Sequence, residues 1–413
     1  MKQLNQFITE YIVKKKLDKP IDSEDRYEYS PETKDELIKV IQILLDKGET
    51  NLNCIDTSNI TDMSKLFYNK NLKNVDISNW NVSNVTNMKH MFYASDNFND
   101  NLSNWNVSNV TNMERMFEEC NKFEGKGLEN WDVGNVTNMS NMFYECESFE
   151  GKGLENWDVS NVIHMHHMFY GCENFNCDLS KWDVSNVKDM KSMFSGCIKF
   201  NCDLSNWNVS KVENMQDMLQ NCKEFNCDLS NWNVSNVMNM YNMFCRCEKF
   251  EGKGLENWNV SNVKYFTCMF FECKNFDCDL SKWNIHNATN TYGLFFNCKN
   301  FKGKGLENWD VSNVTNMSNM FSYCQNFNCD LSKWKVSSNM TDISGMFRDC
   351  IKFDSDLSNW DVSNVKYMEE TFSHCLNFKG KGLEKWNTKN VTELWDIFKN
   401  CNSLKNKPSW YKE

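Results

Sequence analysis

The sequence predicts an α/β solenoid of about fourteen stacked coils, and three observations carry that prediction. Tryptophan returns every 25 or 26 residues, at Trp80, Trp105, Trp131, Trp157, Trp182, Trp207, Trp232, Trp258, Trp283, Trp309, Trp334, Trp360 and Trp386, and Ile55 takes the same slot one coil earlier. Each coil has two halves with different apolar periods. Neither half is long enough to bury an apolar face by itself, so neighbours must supply the burial. A chain of 413 residues would otherwise divide into two or three globular domains.

The coil from Leu128 to Phe149 reads LENWDVGNVTNMSNMFYECESF. Leu128, Trp131 and Val133 have the L-x-x-L-x-L spacing that places the last two on one face of a short strand. Met139, Met142, Phe143, Cys146 and Phe149 fall at i, i+3, i+4, i+7 and i+10, the stripe of a short helix. Asn138 stands where an N-cap belongs, with Asn87, Asn112, Asp189, Asn214 and Asn316 in the same column. Stacking would lay Trp on Trp and Phe on Phe, and each ring removes about 150–250 Å² from water.

Two connectors account for most of the length variation, FNCDLSKW from Phe175 to Trp182 and the longer FEGKGLENW from Phe123 to Trp131; the extra serine of Ser337 and Ser338 lengthens one further coil. The Asn of the S-N-V triplet (Asn84, Asn109, Asn135, Asn161, Asn186, Asn236, Asn262, Asn313, Asn364 and Asn390) forms a column broken by Lys211. It reads as an internal amide ladder, each side chain bonding backbone in the turn after the strand.

This pattern, W-[DN]-V-S-N-V-x-[ND]-M-x-x-M-F-x-x-C-x-x-F from about Asn51 to Cys401, resembles the BspA-like leucine-rich-repeat proteins. The similarity is to the 25/26-residue variant of mycoplasma surface proteins, which also occurs in gut bacteria, phages and large viruses. The resemblance implies a curved leucine-rich-repeat-like solenoid with a parallel sheet on one face, and a role in adhesion or surface interaction. The amino terminus, MKQLNQFITEYIVKKKLDK, has no secretory signal and no run of transmembrane length, which departs from the bacterial surface examples. The expectation is therefore cytoplasmic synthesis without membrane insertion, with virion association or non-standard export as routes out.

The ends differ from the repeats. Residues 1–50 are expected to form a helical segment and cap, 51–404 the solenoid, and 405–413 a terminal cap or tail. Leu4, Phe7, Ile8, Tyr11 and Ile12 mark one amphipathic helix, followed by a basic run, Lys14 to Lys16, and a linker at Pro20. Thr33 to Glu36 is a capping box, after which Leu37, Ile38, Val40, Ile41, Leu44 and Leu45 form a second helix that stops at Gly48 and covers the first coil. Pro408, Trp410 and Tyr411 fold over the last coil.

The net charge of −11 is dispersed, and without clustered Lys and Arg the expectation is no nucleic-acid partner. Twelve of the 20 cysteines share one column, from Cys120 to Cys401, on the expected helix stripe. Helices about 8–10 Å apart would hold them beyond disulfide reach, so they read as buried, inert thiols. Cys177, Cys202, Cys227, Cys278 and Cys329 form a connector column in which consecutive members can pair under oxidation. His164, His166 and His167 have the wrong spacing for a zinc site, and Asp178, Asp203 and Asp228 read as turn residues that bond their own backbone, with calcium as the alternative. No P-loop, nucleophile elbow or dinucleotide fingerprint occurs, and the uniform polar columns do not supply the asymmetric constellation catalysis requires. No catalytic residue, metal or cofactor is expected.

Specificity should lie where coils depart from one another. Between Tyr241 and Phe296 the departures are largest: Tyr241, Arg246, Tyr265, Phe271, Tyr292 and Phe296 are the candidate partner-binding residues, while Phe266 and Thr291 replace core Met. Exposed aromatics beside an Arg suit a protein interface, and the alternative is that the rings pack between coils. The polar lattice beside the Trp column, such as Asn130, Asp132 and Ser160, is the rival surface. The function read from the sequence is a non-enzymatic scaffold for a protein or cell-surface component; the alternative is a structural part of a viral or phage particle, docked through its N-terminal helix.

Overall fold

In the computed structural model, which describes residues 27–412, the parallel pairing lies in the half of the coil where the sequence predicts a helix. The chain divides into two units, Met1–His164 and Met165–Glu413. Both are stacks of the repeat, so the fold is a repeat solenoid. In the first unit, parallel bridges join Asp62, Asn87, Asn112, Asn138 and His164 in turn; in the second they run from Asp189 through Asn214, Asn239, Tyr265, Asn290, Asn316, Asp342 and Tyr367 to Glu393.

The stripe of Met, Phe and Cys is buried as predicted, but the backbone that carries it is a run of turns. The N–H groups of Met63, Lys65, Phe67 and Asn69 donate to the carbonyls of Asn87, Lys89, Met91 and Tyr93 one coil on, at 2.7–3.0 Å. The intervening N–H groups of Leu66, Tyr68 and Lys70 close turns on Met63, Lys65 and Phe67 within the coil. Every second residue therefore bonds across coils, and two residues per coil are left-handed, such as Arg115 (φ 56°) and Glu119 (φ 60°), which no α-helix contains. The physical reason is spacing. Coils joined by a backbone ladder lie about 4.8 Å apart, whereas packed helices need about 8–10 Å.

The predicted strand keeps its burial pattern and loses its ladder. Trp131 and Val133 are buried around exposed Asp132, and Trp131 is extended (φ −77°, ψ 125°), but the backbone bonds of this segment stay within the coil, from Trp131 to Leu128 and from Val136 to Val133. Cohesion across coils comes here from side chains. The indole N–H of Trp131 donates to the Leu102 carbonyl of the preceding coil at 3.2 Å, and Trp258 treats Leu229 likewise at 3.1 Å. Trp rings stack at 26-residue intervals, as between Trp131 and Trp157 (6.2 Å, 4°) and between Trp232 and Trp258 (6.1 Å, 3°). Phe rings stack in two columns, Phe92 on Phe117 at 5.4 Å and Phe98 on Phe123 at 5.8 Å.

The longer connectors hug the preceding coil. Leu128–Asn130 and Leu255–Asn257 are single 3-10 turns entered through left-handed Gly127 and Gly254 (φ 93° and 92°). A Cβ on either glycine would collide with the backbone of Ser103 or Ser230, so the G-K-G motif is a requirement of packing.

In the first unit, helix α1 spans Lys34–Asp46. Its Thr33 hydroxyl accepts from the Glu36 N–H at 3.3 Å, and the Glu36 carboxylate accepts from the Glu32 N–H at 2.8 Å, one residue before the position of an ideal capping box. Gly48 (φ 82°) follows its end, as predicted. Leu37, Val40, Ile41, Ile43 and Leu44 are buried, and Lys34 reaches Asp62 (3.0 Å) and Ser64 (2.6 Å) of the nearest coil. The expected helix at Leu4 to Ile12, the basic run Lys14 to Lys16 and the linker at Pro20 lie outside the described residues. In the second unit, Trp410 continues the Trp column, stacked on Trp386 at 6.2 Å and donating to the Leu383 carbonyl at 2.7 Å.

Candidate functional site

The polar columns act as architecture. Asn138 caps a turn, accepting from the Ser140 N–H at 3.0 Å, and Asn87, Asn112, Asp189, Asn214 and Asn316 do the same two residues on. The S-N-V asparagines form a ladder, but an exposed one that links coils: Asn109 donates to the Ser83 carbonyl and Asn262 to Ser235, both at 2.7 Å. Lys211, which breaks the column, donates to Asn186 at 2.8 Å.

All 20 cysteines are free thiols in the structure. The reach argument for the main column fails, because those thiols lie on coils at ladder spacing. Burial is what protects them. Cys222 and Cys247 are fully buried, each donating to the carbonyl of a residue in the preceding coil (Phe194 and Leu219) at 3.0 Å, and burial raises both pKa values. In the connector column the Cys202 thiol contacts the Cys177 carbonyl, and the Cys227 thiol the Cys202 carbonyl.

Asp178, Asp203 and Asp228 each accept from the N–H of the serine two residues on, at 2.9–3.0 Å. The Ser230 and Lys253 contacts hold the Asp228 carboxyl at about 2. His166 and His167 meet edge to face at 5.5 Å, and burial, then His166 and Lys191, lower the His167 pKa to about 4. Among the described residues no group of three His, Cys, Asp or Glu side chains is placed to hold a metal ion.

The candidate binding residues lie on three consecutive coils of the second unit, at both ends of the turn runs. Tyr265 replaces a capping Asn and bridges in parallel to Asn239 and Asn290 on either side. Tyr241 and Tyr292 flank it one column over, each N–H held by the adjacent capping side chain, Asn239 at 3.0 Å and Asn290 at 2.8 Å. All three tyrosines are exposed: 38% for Tyr241, 54% for Tyr265 and 39% for Tyr292. The Tyr292 phenol pKa is raised by burial, then by Cys268, Asp342 and Tyr241.

At the other end of the same runs, the rings pair. Phe271 stacks on Phe296 (4.3 Å, 5°), and Phe296 meets the edge of Tyr323 at 5.3 Å. Arg246 donates its backbone N–H to the Phe271 carbonyl at 2.6 Å, and its exposed guanidinium pairs with Glu272 at 3.1 Å. A Cβ on Gly293 would crowd the Cys268 thiol at 3.1 Å and meet the Phe271 ring at 3.4 Å. The expectation of outward-pointing rings therefore holds for the tyrosines and needs correction for Phe271 and Phe296, which are half-buried against each other. The same inter-coil pairing joins Tyr68 and Tyr93 in the first unit (4.7 Å, 6°).

Two thiols within this surface, Cys245 and Cys268, are buried. Burial, followed by Cys268 and opposed by Arg246, raises the Cys245 pKa to about 12, and burial raises Cys268 to about 11. Exposed residues that the sequence reading left out include Met238, Lys264, Tyr367 and Trp395. Met238 and Lys264 occupy the column of Thr86, Thr111 and Thr137, whose regularity is the signal that marks them.

These features define a repeat solenoid in which constant columns build the coil and variable side chains decorate it. The chain belongs to the DUF285 family, described as "Mycoplasma protein of unknown function", whose model matches residues 42–153, 139–253, 220–305 and 292–411. No curated protein is significantly similar in sequence. Among solved structures, a leucine-rich-repeat protein from Eubacterium ventriosum is 13% identical, with 91% of this chain and 89% of that one covered and a TM-score of 0.35. A Leptospira interrogans leucine-rich-repeat protein is 8% identical over 81% of this chain and 83% of its own, with a TM-score of 0.25. TLR13, in a complex with ssRNA13, is 10% identical with a TM-score of 0.22; the alignment covers 81% of this chain and 53% of the TLR13 chain. Among the described residues no helix is long and apolar enough to cross a membrane.

Proposed function

We propose that the chain is a non-enzymatic scaffold that binds a protein or cell-surface component through the face carrying Tyr241, Tyr265 and Tyr292, as is expected of BspA-like surface repeats. The observation that supports this reading is the exposure of three tyrosines on consecutive coils, at positions that hold small or polar residues in most other coils. Tyrosine presents a large amphipathic contact area at low entropic cost, and held by the backbone ladder it is preorganised. Arg246 and the Phe271–Phe296 pair border the same surface and complete the candidate set.

The test is a Tyr265→Ser/Tyr292→Ser double variant, used with the wild-type full chain as bait against the native proteome. A partner captured by the wild type should fall at least about tenfold in yield with the variant, at unchanged melting temperature. Equal capture by both proteins would refute the assignment of this face.

A further inference from the structure

Lys188, Lys211 and Lys264 line one open groove of about 660 Å³ in the second unit. Lys188 and Lys264 replace the Thr of the regular column, and Lys211 replaces the Asn of the ladder. Three departures from the repeat thus meet in one place. The lysines of the G-K-G connectors are paired with carboxylates, as in Lys253 with Asp228 (2.9 Å) and Lys304 with Asp279 (2.8 Å). The three groove lysines have no ion pair among the described residues, although the chain carries a net charge of −11. Glu213 is the one carboxylate among the groove's lining residues, which leaves it with a local excess of two positive charges, three lysines against one glutamate.

The floor is made of amides. Asn236, Asn262 and Asn287 each spend one Nδ2 hydrogen on a serine carbonyl of the preceding coil (Ser210, Ser235 and Ser261) at 2.7 Å. That bond fixes each carboxamide and leaves its oxygen and second hydrogen for a ligand. Each carboxamide thus offers an acceptor and a donor, and a peptide main chain presents the complementary pair. Met238, 43% exposed, adds an apolar contact between the lysines, and Lys264 adjoins Tyr265 in the chain.

We infer that this groove binds an extended acidic peptide segment of a partner protein, its carboxylates on Lys188, Lys211 and Lys264 and its backbone on the asparagine ladder. The inference rests on the reading of these coils as the partner-binding face and adds the chemistry of the partner. A peptide fits better than a long polyanion because the lysine cluster is confined to a few coils of an acidic chain. Past it the same columns carry neutral residues, Asn161 and Ile163 on one side and Thr289 and Asn313 on the other, so a nucleic acid extending along them would gain no further ion pairs.

The test is fluorescence anisotropy on the full chain with a fluorescein-labelled acetyl-(Glu-Ala)₄ peptide. The comparison ligands are the (Gln-Ala)₄ peptide and a twelve-nucleotide oligothymidine. The acidic peptide should bind the wild type most tightly. A Lys188→Gln/Lys264→Gln variant of unchanged melting temperature should weaken it about tenfold, and Glu213→Gln should tighten it. Equal binding of the neutral peptide, tighter binding of the oligonucleotide, or no loss in the lysine variant would each overturn the inference. The tyrosine double variant is read by capture of the native partner and the lysine variant by a synthetic peptide, so the two readings fail separately.

Discussion

The indole N–H of Trp207 donates to the carbonyl of Leu179, one coil before it, at 3.0 Å, and both residues are buried. The bond recurs from Trp232 to Leu204 and from Trp258 to Leu229 at 2.9 and 3.1 Å. It ties each coil to its predecessor where no backbone ladder does. Trp207→Phe keeps most of the ring but removes one of the two bonds that the Leu179 carbonyl accepts, the other coming from the Trp182 N–H at 3.0 Å, and should cost about 1–3 kcal/mol; Trp207→Ala should cost about 3–5 kcal/mol. Hydrogen exchange should quicken mainly in the adjoining coils. A uniform rise across the chain would contradict neighbour-by-neighbour cohesion.

The left-handed positions reverse the usual order of helix propensities. Asn221 has φ 60° while its N–H donates to the Cys245 carbonyl at 2.7 Å. Asn221→Gly should leave stability unchanged or raise it by up to about 1 kcal/mol, and Asn221→Ala should lower it by about 1 kcal/mol. Were this segment a helix, alanine would be the more stable of the two. Denaturant midpoints of the two variants decide between these cases.

Glu118 carries a pH dependence. It is 5% exposed, one carboxylate oxygen lies 3.3 Å from Arg115, and the other has no hydrogen-bond partner. Burial raises its pKa to about 7, against the pull of Arg115 and with help from Glu119, Glu145 and Glu114. The folded state then holds this proton more tightly than the unfolded state, so the group loses stability as pH rises from its ordinary value toward 7, and the loss persists above it. Glu118→Gln should stabilise the protein at pH 8 by roughly 1–3 kcal/mol, with no gain at pH 4.5. A gain that is larger at acid pH would show the sign to be wrong.

Thiol reactivity should follow burial. Cys54 and Cys227 are the two partly exposed cysteines, and the other eighteen of the 20 are buried. Brief alkylation of the native protein at neutral pH should label these two first. The column from Cys120 to Cys401 should react only after denaturation, as mass spectrometry of the labelled peptides can establish. Early labelling of Cys222 or Cys298 would mean that the coils open independently of unfolding.

Much of the coil was legible because repetition exposes the buried slots. Trp131, Val133, Met139, Phe143, Cys146 and Phe149 are all buried where their spacing places them. The backbone beneath the Met–Phe–Cys stripe was not legible from that spacing, because consecutive four-residue turns bury the same positions as a helix. Gly171, Gly196, Gly293 and Gly345 were the overlooked signal: each stands in a left-handed slot inside the supposed helix. The tyrosine face was legible as departures from consensus. The packing of Phe271 on Phe296 was not, because it depends on the spacing between coils, which the helix assumption set too wide.

The most direct measurement compares one column residue with the variable face in the same two assays. Trp207→Phe should lower the melting temperature and leave partner capture per folded molecule intact, while Tyr265→Ser/Tyr292→Ser should abolish capture and leave the melting temperature in place. If both variants lose stability together and capture survives in the folded fraction of each, those tyrosines belong to the packing, and recognition lies elsewhere on the protein.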